Sequence, residues 1–169
     1  QATSKRLVHR WRAEADAILI GTTTALMDDP KLDNRHYFGK SPLRIVLDRK
    51  LNLPSYLNVF SDGHKTLVVS EQIPKTKISE QVQFLQLPFD ETFWEKLMRI
   101  LWTDFKLGVV LIEGGAKIFE SIVATQIWDE ARVLEGQNTL ENGVPAPVIP
   151  GIPVKKIPLG LDELKVYRN

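Results

Sequence analysis

The most constraining feature of this sequence is a series of short apolar runs, each ended by a glycine or a polar residue. The first run is Ala17-Ile18-Leu19-Ile20, which stops at Gly21. A short apolar run bounded by a turn residue is typical of a strand buried on both faces. Similar runs occupy residues 43–48, 66–70 and 108–112. The pattern therefore predicts a sheet whose central strands are buried.

Segments with helical periodicity separate these runs. Residues 3–14, 91–105 and 116–126 are predicted helices, and Ser4 is a candidate N-cap of the first. Residues 81–87 alternate only partly, which favours a strand near an edge, and residues 129–135 are a further predicted strand. Strands that alternate with helices predict an α/β fold with a largely parallel central sheet flanked by helices.

The C-terminal part has a different character. Four prolines within residues 144–153 exclude a central strand or a helix and predict an extended loop. Residues 154–168 are predicted to form a closing hairpin that turns near Gly160. Because no internal repeat or convincing linker is visible, we interpret residues 1–169 as a single domain.

Composition excludes several classes of protein. Twenty-two basic and 21 acidic residues leave a net charge of +1, so neither a nucleic acid nor a membrane is expected as a partner. The absence of cysteine rules out disulfides and thiolate chemistry, and is compatible with the cytoplasmic location that we predict. The three histidines lack the spacing of metal ligands, and no serine-hydrolase motif occurs, so no metal site is predicted.

Polar residues follow two of the predicted strands. Three threonines and the pair Asp28-Asp29 follow the first apolar run, and Glu113-Gly114-Gly115 follows the run at 108–112. Ligands of open α/β sheets bind beside the carboxyl ends of the strands. Paired glycines before a helix also allow a dinucleotide pyrophosphate to approach the backbone. A capped helical turn and an ordinary Asp-Pro turn would explain the same residues. Chemistry alone leaves both interpretations open.

A family resemblance favours the functional interpretation. The run from Gly21 to Arg35, with Thr24, Asp28-Asp29-Pro30 and Leu32, resembles the G-x-x-T-x-x-x-D-D-P-x-L-x-x-R signature of riboflavin-pathway pyrimidine reductases. Residues 111–116 (LIEGGA) and 128–130 (WDE) match the other two landmarks of that family in order. More closely, the chain resembles the reductase half of the bacterial bifunctional deaminase/reductase. The resemblance implies a three-layer fold like that of dihydrofolate reductase.

The resemblance also implies an activity and a set of site residues. The activity is NADPH-dependent reduction of 5-amino-6-(5-phosphoribosylamino)uracil, a phosphorylated pyrimidine, to its ribitylamino form. Asp28 and Glu113 are our candidates for the polarising, catalytic groups, and a purely positional role for either one stays open. The implied substrate contacts are Arg12, Leu32, Arg35 and Glu113, and two arginines suit a sugar phosphate because guanidinium forks match phosphate oxygens. The implied cofactor contacts are Thr24, Asp28, Gly115, Ala116, Lys117 and Ile118, with Arg49 and Lys117 as candidates for reading the NADPH 2′-phosphate.

The chain departs from the family pattern at its start. In the family, a strand with a catalytic-site lysine precedes the first helix, and a zinc-containing deaminase half lies upstream; this sequence begins at the helix. We therefore expect a trimmed reductase domain. The resemblance also implies a homodimer, because the family assembles through its reductase half. Two alternatives stay open: another NADPH reductase of the same fold, and a catalytically idle folding or dimerisation module. His9 is interpreted as a surface or packing histidine rather than a base.

Overall fold

The computed structural model describes residues 2–138, 143 and 145–169. The chain forms two compact units, which are described separately. One unit contains His9–Gly115, and the other contains Gln1–Val8 together with Ala116–Asn169. The first helix, α1 (Ala2–Glu14), contributes residues to both units. None of the helices in the described part of the chain has the length and apolar character needed to span a bilayer.

A five-stranded parallel sheet forms the centre of the unit His9–Gly115. Its strands are β1 (Ala17–Gly21), β2 (Leu43–Leu47), β3 (Thr66–Ser70), β4 (Val82–Gln86) and β5 (Val110–Ile112). Their order is β4-β3-β2-β1-β5, and every neighbouring pair is parallel. All five residues of β1 and of β3 are buried, as expected for strands covered on both faces. The predicted α/β class and the largely parallel sheet are confirmed.

The two outer strands of this sheet had different outcomes. The prediction that residues 81–87 lie near an edge is confirmed, because β4 ends the sheet on one side. The strand predicted at 108–112 is present as β5, but its predicted burial is wrong: β5 has only three residues, all partly exposed, and Val109 before it is 54% exposed. The physical reason is position, since β5 is the last strand of the sheet on the other side and pairs only with β1.

Three helices complete this unit: α2 (Thr22–Asp28), α3 (Asn58–Ser61) and α4 (Phe93–Thr103). The helix predicted at 91–105 is confirmed as α4, and its buried face carries Phe93, Trp94, Leu97 and Leu101. The short α3 was not predicted from the sequence. Val59 and Phe60 of α3 are buried in the main core with Ile18, Ile20 and Val46 of the sheet.

A buried arginine, Arg44, lies near the amino end of β2 in the same sheet. Arg44 in β2 has a side chain that is only 2% exposed. Its guanidinium donates to Asp62 Oδ2 at 2.7 Å and to Thr66 Oγ1 at 3.0 Å. It also donates to the main-chain oxygens of Lys31 at 3.2 Å, Val59 at 3.2 Å and His64 at 2.8 Å. These five bonds use all five N–H groups of the guanidinium.

The second unit contains α5 (Ala116–Thr125) and a three-stranded antiparallel sheet of β6 (Glu130–Glu135), β7 (Lys155–Leu159) and β8 (Asp162–Arg168). The predicted C-terminal hairpin is confirmed as β7 and β8, which turn at Gly160 with φ of 71°. The strand predicted at 129–135 is β6, which pairs with β8 and not with the parallel sheet.

Two smaller predictions concern this unit. Residues 145–153 contain no helix or strand, which confirms the predicted loop over that range; Val144 lies outside the described residues. Ser4 is not an N-cap, because it lies inside α1. Its hydroxyl donates instead to Asp162 Oδ2 at 2.5 Å.

Candidate active site

Several predicted site residues of the unit His9–Gly115 follow the carboxyl ends of strands in its parallel sheet. Because the strands are parallel, their carboxyl ends meet at the same edge. The first strand there is β1, which runs into the threonines of α2. The second is β2, which ends before Asp48-Arg49, and the third is β5, which ends before Glu113. Thr22 Oγ1 donates to the carbonyl of Leu47 at 2.8 Å and so joins the ends of β1 and β2.

The most specific arrangement in this unit is a forked ion pair between Arg12 of α1 and Glu113. Arg12 Nε lies 2.8 Å from Glu113 Oε1, and Arg12 Nη2 lies 2.5 Å from Glu113 Oε2. A third bond runs from Arg12 Nη1 to the carbonyl of Asp33 at 3.1 Å. Within the part of the chain that the structure describes, Arg12 therefore uses three of its five N–H groups. The side chains of Arg12 and Glu113 are 14% and 23% exposed.

Arg35 lies beside this pair and is more open to solvent. Its side chain is 53% exposed, and its Nε lies 2.8 Å from Asp33 Oδ1. The main-chain N–H of Arg35 donates to His9 Nδ1 at 3.1 Å. Arg12, Arg35 and Glu113, all predicted to contact substrate, are therefore brought together around residues 33–35.

His9 is buried beneath this cluster, with 7% of its surface exposed. Burial lowers the pKa of His9 below its usual value, and the charges of Arg12, His36 and Arg35 lower it further, while Asp33 opposes them. Its interpretation as a packing histidine agrees with this burial, but the hydrogen bond to Arg35 was missed. A signal was present, because His9 and Arg12 are three residues apart on one predicted helix and so share a face.

Leu32 occupies a different environment from the other predicted substrate contacts. It is only 3% exposed and belongs to the main hydrophobic core of the unit. Its backbone adopts φ of 54°, which is uncommon for a residue with a side chain. That conformation leads the chain out of the core and into residues 33–35. A substrate contact by Leu32 stays a prediction.

The two motifs predicted to meet the cofactor contact one another through Thr24 and Gly114. A Cβ atom on Gly114 would lie 3.2 Å from both Oγ1 and Cγ2 of Thr24. Gly114 and Gly115 have φ of 104° and 86°, conformations that residues with a side chain rarely adopt. The glycine pair therefore lets the backbone turn sharply and pass so close to Thr24 that a side chain at position 114 would crowd it.

The adjacent aspartates have separate surroundings. Asp28 is exposed at the end of α2. Asp29 is in the left-handed conformation, with φ of 38°, and holds Asn58. Its Oδ1 accepts the Asn58 N–H at 2.7 Å, and its Oδ2 accepts from Asn58 Nδ2 at 2.8 Å. Asp29 thus ties α2 to the start of α3, whereas Asp28 is accessible to a ligand.

Arg49 lies at the ends of β2 and β3, away from the Arg12 cluster in sequence. Its Nη2 is 2.9 Å from Glu71 Oε1, and its guanidinium carbon is 5.9 Å from the centre of the Phe89 ring. The Arg49 hydrogen bond, followed by the Phe89 N–H, holds the pKa of Glu71 below its usual value. With 55% of its side chain exposed, Arg49 presents a positive charge to solvent.

The remaining predicted contacts begin the second unit. Ala116, Lys117 and Ile118 form the first turn of α5, in which Lys117 is exposed and the other two are partly exposed. Their cofactor roles stay predictions. Among residues 2–138, 143 and 145–169, no group of three or more His, Cys, Asp or Glu side chains could hold a metal ion.

Comparison with known proteins adds family and fold. The model of a family described as the RibD C-terminal domain matches residues 1–140. Two relatives are named 2,5-diamino-6-ribosylamino-4(3H)-pyrimidinone 5′-phosphate reductase. The protein of Archaeoglobus fulgidus is 32% identical over 144 residues, covering 78% of this chain and 66% of that protein. The protein of Methanothermobacter thermautotrophicus is 31% identical over 134 residues, covering 76% and 62%.

A solved structure gives the same picture of the fold. The riboflavin biosynthesis reductase of Saccharomyces cerevisiae aligns with a TM-score of 0.82 at 24% identity, covering 98% of this chain and 80% of that one. At that identity the likeness establishes a shared fold. The chain spans 60–66% of the length of three curated relatives. By its match over residues 1–140, the chain belongs to the RibD C-terminal domain family.

Proposed function

We propose that this chain reduces the ribose of a phosphoribosylaminopyrimidine in riboflavin biosynthesis, with NADPH as the reductant. The observation that carries the proposal is the fork between Arg12 and Glu113, which follows the carboxyl end of β5, together with the nearby exposed guanidinium of Arg35. Two arginines and one carboxylate suit a ligand that carries both a phosphate and hydroxyl groups. Relatives named as reductases of a ribosylaminopyrimidinone 5′-phosphate support the same reaction class.

The base of the substrate has two candidates. The family motifs imply 5-amino-6-(5-phosphoribosylamino)uracil as substrate and the 5-phosphoribitylamino compound as product. The names of the relatives favour the 2,5-diamino-4(3H)-pyrimidinone instead. Both share the phosphoribosylamino group, so the proposed roles of the arginines apply to either.

Within this proposal, Arg35 is the main phosphate ligand. Arg12 has three N–H groups on protein acceptors within the described residues, so its first role is to orient Glu113 and its remaining N–H groups face the substrate. The carboxylate of Glu113, aligned by the fork, then accepts hydrogen bonds from substrate hydroxyls. Asp28, exposed at the end of α2, is the proposed polarising group on the cofactor side. Leu32 contributes to the substrate site through its main chain.

The nicotinamide cofactor is proposed on the glycine turn. NADPH would supply the hydride that reduces C1 of the opened ribose. The turn fits such a group, because Gly114 and Gly115 have no side chains and adopt φ of 104° and 86°, so a ligand can approach their main chain closely. Gly115 and the first turn of α5, with Ala116, Lys117 and Ile118, would present main-chain N–H groups to the pyrophosphate. The exposed Arg49 is proposed to bind the 2′-phosphate of NADPH.

The test is to supply the intact protein with NADPH and each of the two pyrimidines, and to follow NADPH absorbance and product mass. We expect oxidation of NADPH with at least one pyrimidine and a ribityl product two mass units heavier than the substrate. NADH should bind more weakly than NADPH. The reduction proposal is wrong if neither pyrimidine is reduced while both cofactors bind equally. That outcome favours the idle module.

We also propose that the protein works as a homodimer in the cytoplasm, in keeping with the family resemblance. Light scattering at micromolar concentration would test the first part, and a monomeric mass would contradict it. That residues 1–169 act as one reductase domain stays a prediction.

A further inference from the structure

Two side chains of α1 hold the main chain of the substrate-site loop. His9 and Arg12 lie three residues apart, which places them on the same face of the helix. Arg12 Nη1 donates to the carbonyl of Asp33 at 3.1 Å, and His9 Nδ1 accepts the N–H of Arg35 at 3.1 Å. We call residues 33–36 the clamped segment. One helix thus fixes it at two main-chain points, on either side of Asn34.

The bond from Arg35 defines the chemical state of His9. Because a main-chain N–H can only donate, Nδ1 must be the acceptor, so the ring is neutral and carries its proton on Nε2. The ring is buried, and the His36 ring meets it edge-on, with centroids 4.6 Å apart and an interplanar angle of 83°. Packing therefore restrains the ring in the orientation that the bond to Arg35 requires.

We propose that neutral His9 is a positioning residue: by accepting the Arg35 N–H, it anchors the clamped segment and aims the Arg35 guanidinium at the phosphate of the substrate. The inference rests on the proposed function. Arg35 itself is half exposed, and its only ion pair in the described residues is with Asp33, two residues away. A long side chain on an unanchored loop would lose more conformational freedom when it binds phosphate. Anchoring its main chain beforehand reduces that loss.

The charges around His9 give the anchor a pH dependence. Arg12 on α1 and Arg35 and His36 on the clamped segment all disfavour a proton on His9, and Asp33 favours one. Burial is the largest influence and also disfavours the proton, so the pKa of His9 lies below its usual value. His9 is then neutral at pH 7. As the pH falls through the lowered pKa, Nδ1 gains a proton and the bond to Arg35 is lost.

The first test compares two substitutions in the intact protein. His9→Phe keeps a packed ring but removes the acceptor, whereas the Oδ1 atom of His9→Asn can replace Nδ1 and cannot titrate. We expect KM for the pyrimidine to rise about tenfold in His9→Phe, as for one lost hydrogen bond. The kcat value and NADPH affinity should change less than about twofold. His9→Asn should restore most of the substrate affinity, and His64→Asn, at an exposed histidine, is the matched control.

A pH series separates His9 from the substrate. A phosphate monoester itself titrates near pH 6, so acid weakens its binding in any variant. We would therefore measure ribose 5-phosphate binding by calorimetry for the wild type and His9→Asn between about pH 5 and 8. Affinity should fall more steeply in the wild type as the pH drops, because only the wild type also loses the anchor. Parallel curves would overturn the role of His9 protonation.

The last measurement needs no substrate. Hydrogen exchange of the Arg35 amide, followed by NMR, should be slow in the wild type and in His9→Asn and about tenfold faster in His9→Phe, as for one lost hydrogen bond. Equal exchange in all three proteins overturns the anchor, whatever the activity. Failure of the wild type to bind or reduce the pyrimidine overturns the proposed function instead. An unchanged pyrimidine KM in an active His9→Phe enzyme, with the amide deprotected, overturns the positioning role.

Discussion

Two arginines of the same unit, Arg44 and Arg12, show how similar groups serve different ends. Arg44 is 2% exposed at the amino end of β2 and donates five hydrogen bonds to protein acceptors. Arg12 lies on α1 and pairs with Glu113 after the end of β5; it is 14% exposed and donates three hydrogen bonds within the described residues. An arginine whose donors are all used by the protein holds the fold together. An arginine that keeps some N–H donors unused by the protein, as Arg12 does within the described residues, can also bind a ligand.

The comparison predicts the largest loss of stability for Arg44→Ala. Removing the guanidinium leaves Asp62, Thr66 and three main-chain oxygens without their partner in a buried site. We expect the free energy of unfolding to fall by about 3–5 kcal/mol, the usual cost of breaking a buried ion pair. Arg12→Ala should cost about 1 kcal/mol, as for a partly exposed position. Urea denaturation measures both values, and equal losses would contradict the distinction.

The reverse ordering is expected for activity. Arg12→Ala should lower kcat/KM for the pyrimidine about a hundredfold, because Glu113 loses both bonds of the fork and the substrate loses a donor. Arg10→Ala is the matched control, since Arg10 lies on the same helix and forms an exposed pair with Glu14 at 2.7 Å. Steady-state kinetics would show the control within about twofold of wild type. Wild-type kcat/KM in Arg12→Ala would refute the role of the fork.

A slightly smaller effect is expected at Arg35, whose guanidinium has fewer partners than that of Arg12 among the described residues. Arg35→Ala should reduce kcat/KM for the pyrimidine roughly ten- to a hundredfold through loss of a charge-assisted phosphate contact. NADPH binding should stay nearly unchanged. Asp28→Ala should instead weaken cofactor binding or turnover. Kinetics with both ligands varied would distinguish the two, and a wild-type kcat/KM for Arg35→Ala would disprove the phosphate contact.

The smallest expected effect is the acid sensitivity of Asp62, the ion-pair partner of Arg44. Burial tends to raise the pKa of Asp62, but the Arg44 hydrogen bond, the His64 N–H and the nearby positive charges outweigh it, so the pKa lies below its usual value. A carboxyl with a lowered folded pKa stabilises the protein above its unfolded pKa of about 3.9 and loses that contribution as the pH falls further.

We therefore expect the free energy of unfolding to decline below about pH 4 in the wild type, and more gently in Asp62→Asn. Denaturation at a series of pH values would measure the two slopes. Glu80→Gln is a suitable control, because Glu80 is 82% exposed in its pair with Lys77. Identical slopes for Asp62→Asn and the wild type would show that Asp62 does not respond to acid as its surroundings imply.

Most of the secondary structure could be predicted because its signals are local. The apolar runs at residues 17–20 and 66–70 needed only burial on both faces to become β1 and β3. The apolar face of residues 91–105 likewise required only a sheet to cover it. The predictions failed where the exposure of a segment depended on its position in the sheet. Residues 108–112 have the composition of a buried strand, but β5 ends its sheet and is partly exposed.

The candidate site also had predictable and unpredictable parts. The motif residues could be chosen from the sequence, but their partners could not. The aspartates of the pair Asp28-Asp29 are chemically equivalent in sequence. In the structure, Asn58 hydrogen-bonds to Asp29, which therefore has a structural role. Asp28 is exposed. Arg44 was overlooked, although a charged residue inside an otherwise apolar run was a visible sign of a buried network.

The sequence by itself determined the order and type of the main elements, the motif residues at the ends of β1 and β5, and the family to which they point. Tertiary structure decided which charges meet. Arg12 and Glu113 are 101 residues apart, and His9 and Arg35 are 26 apart. Helix and strand periodicity reports only which face of a segment is buried. Pairings across such distances depend on strand order and helix placement, which a local pattern does not contain.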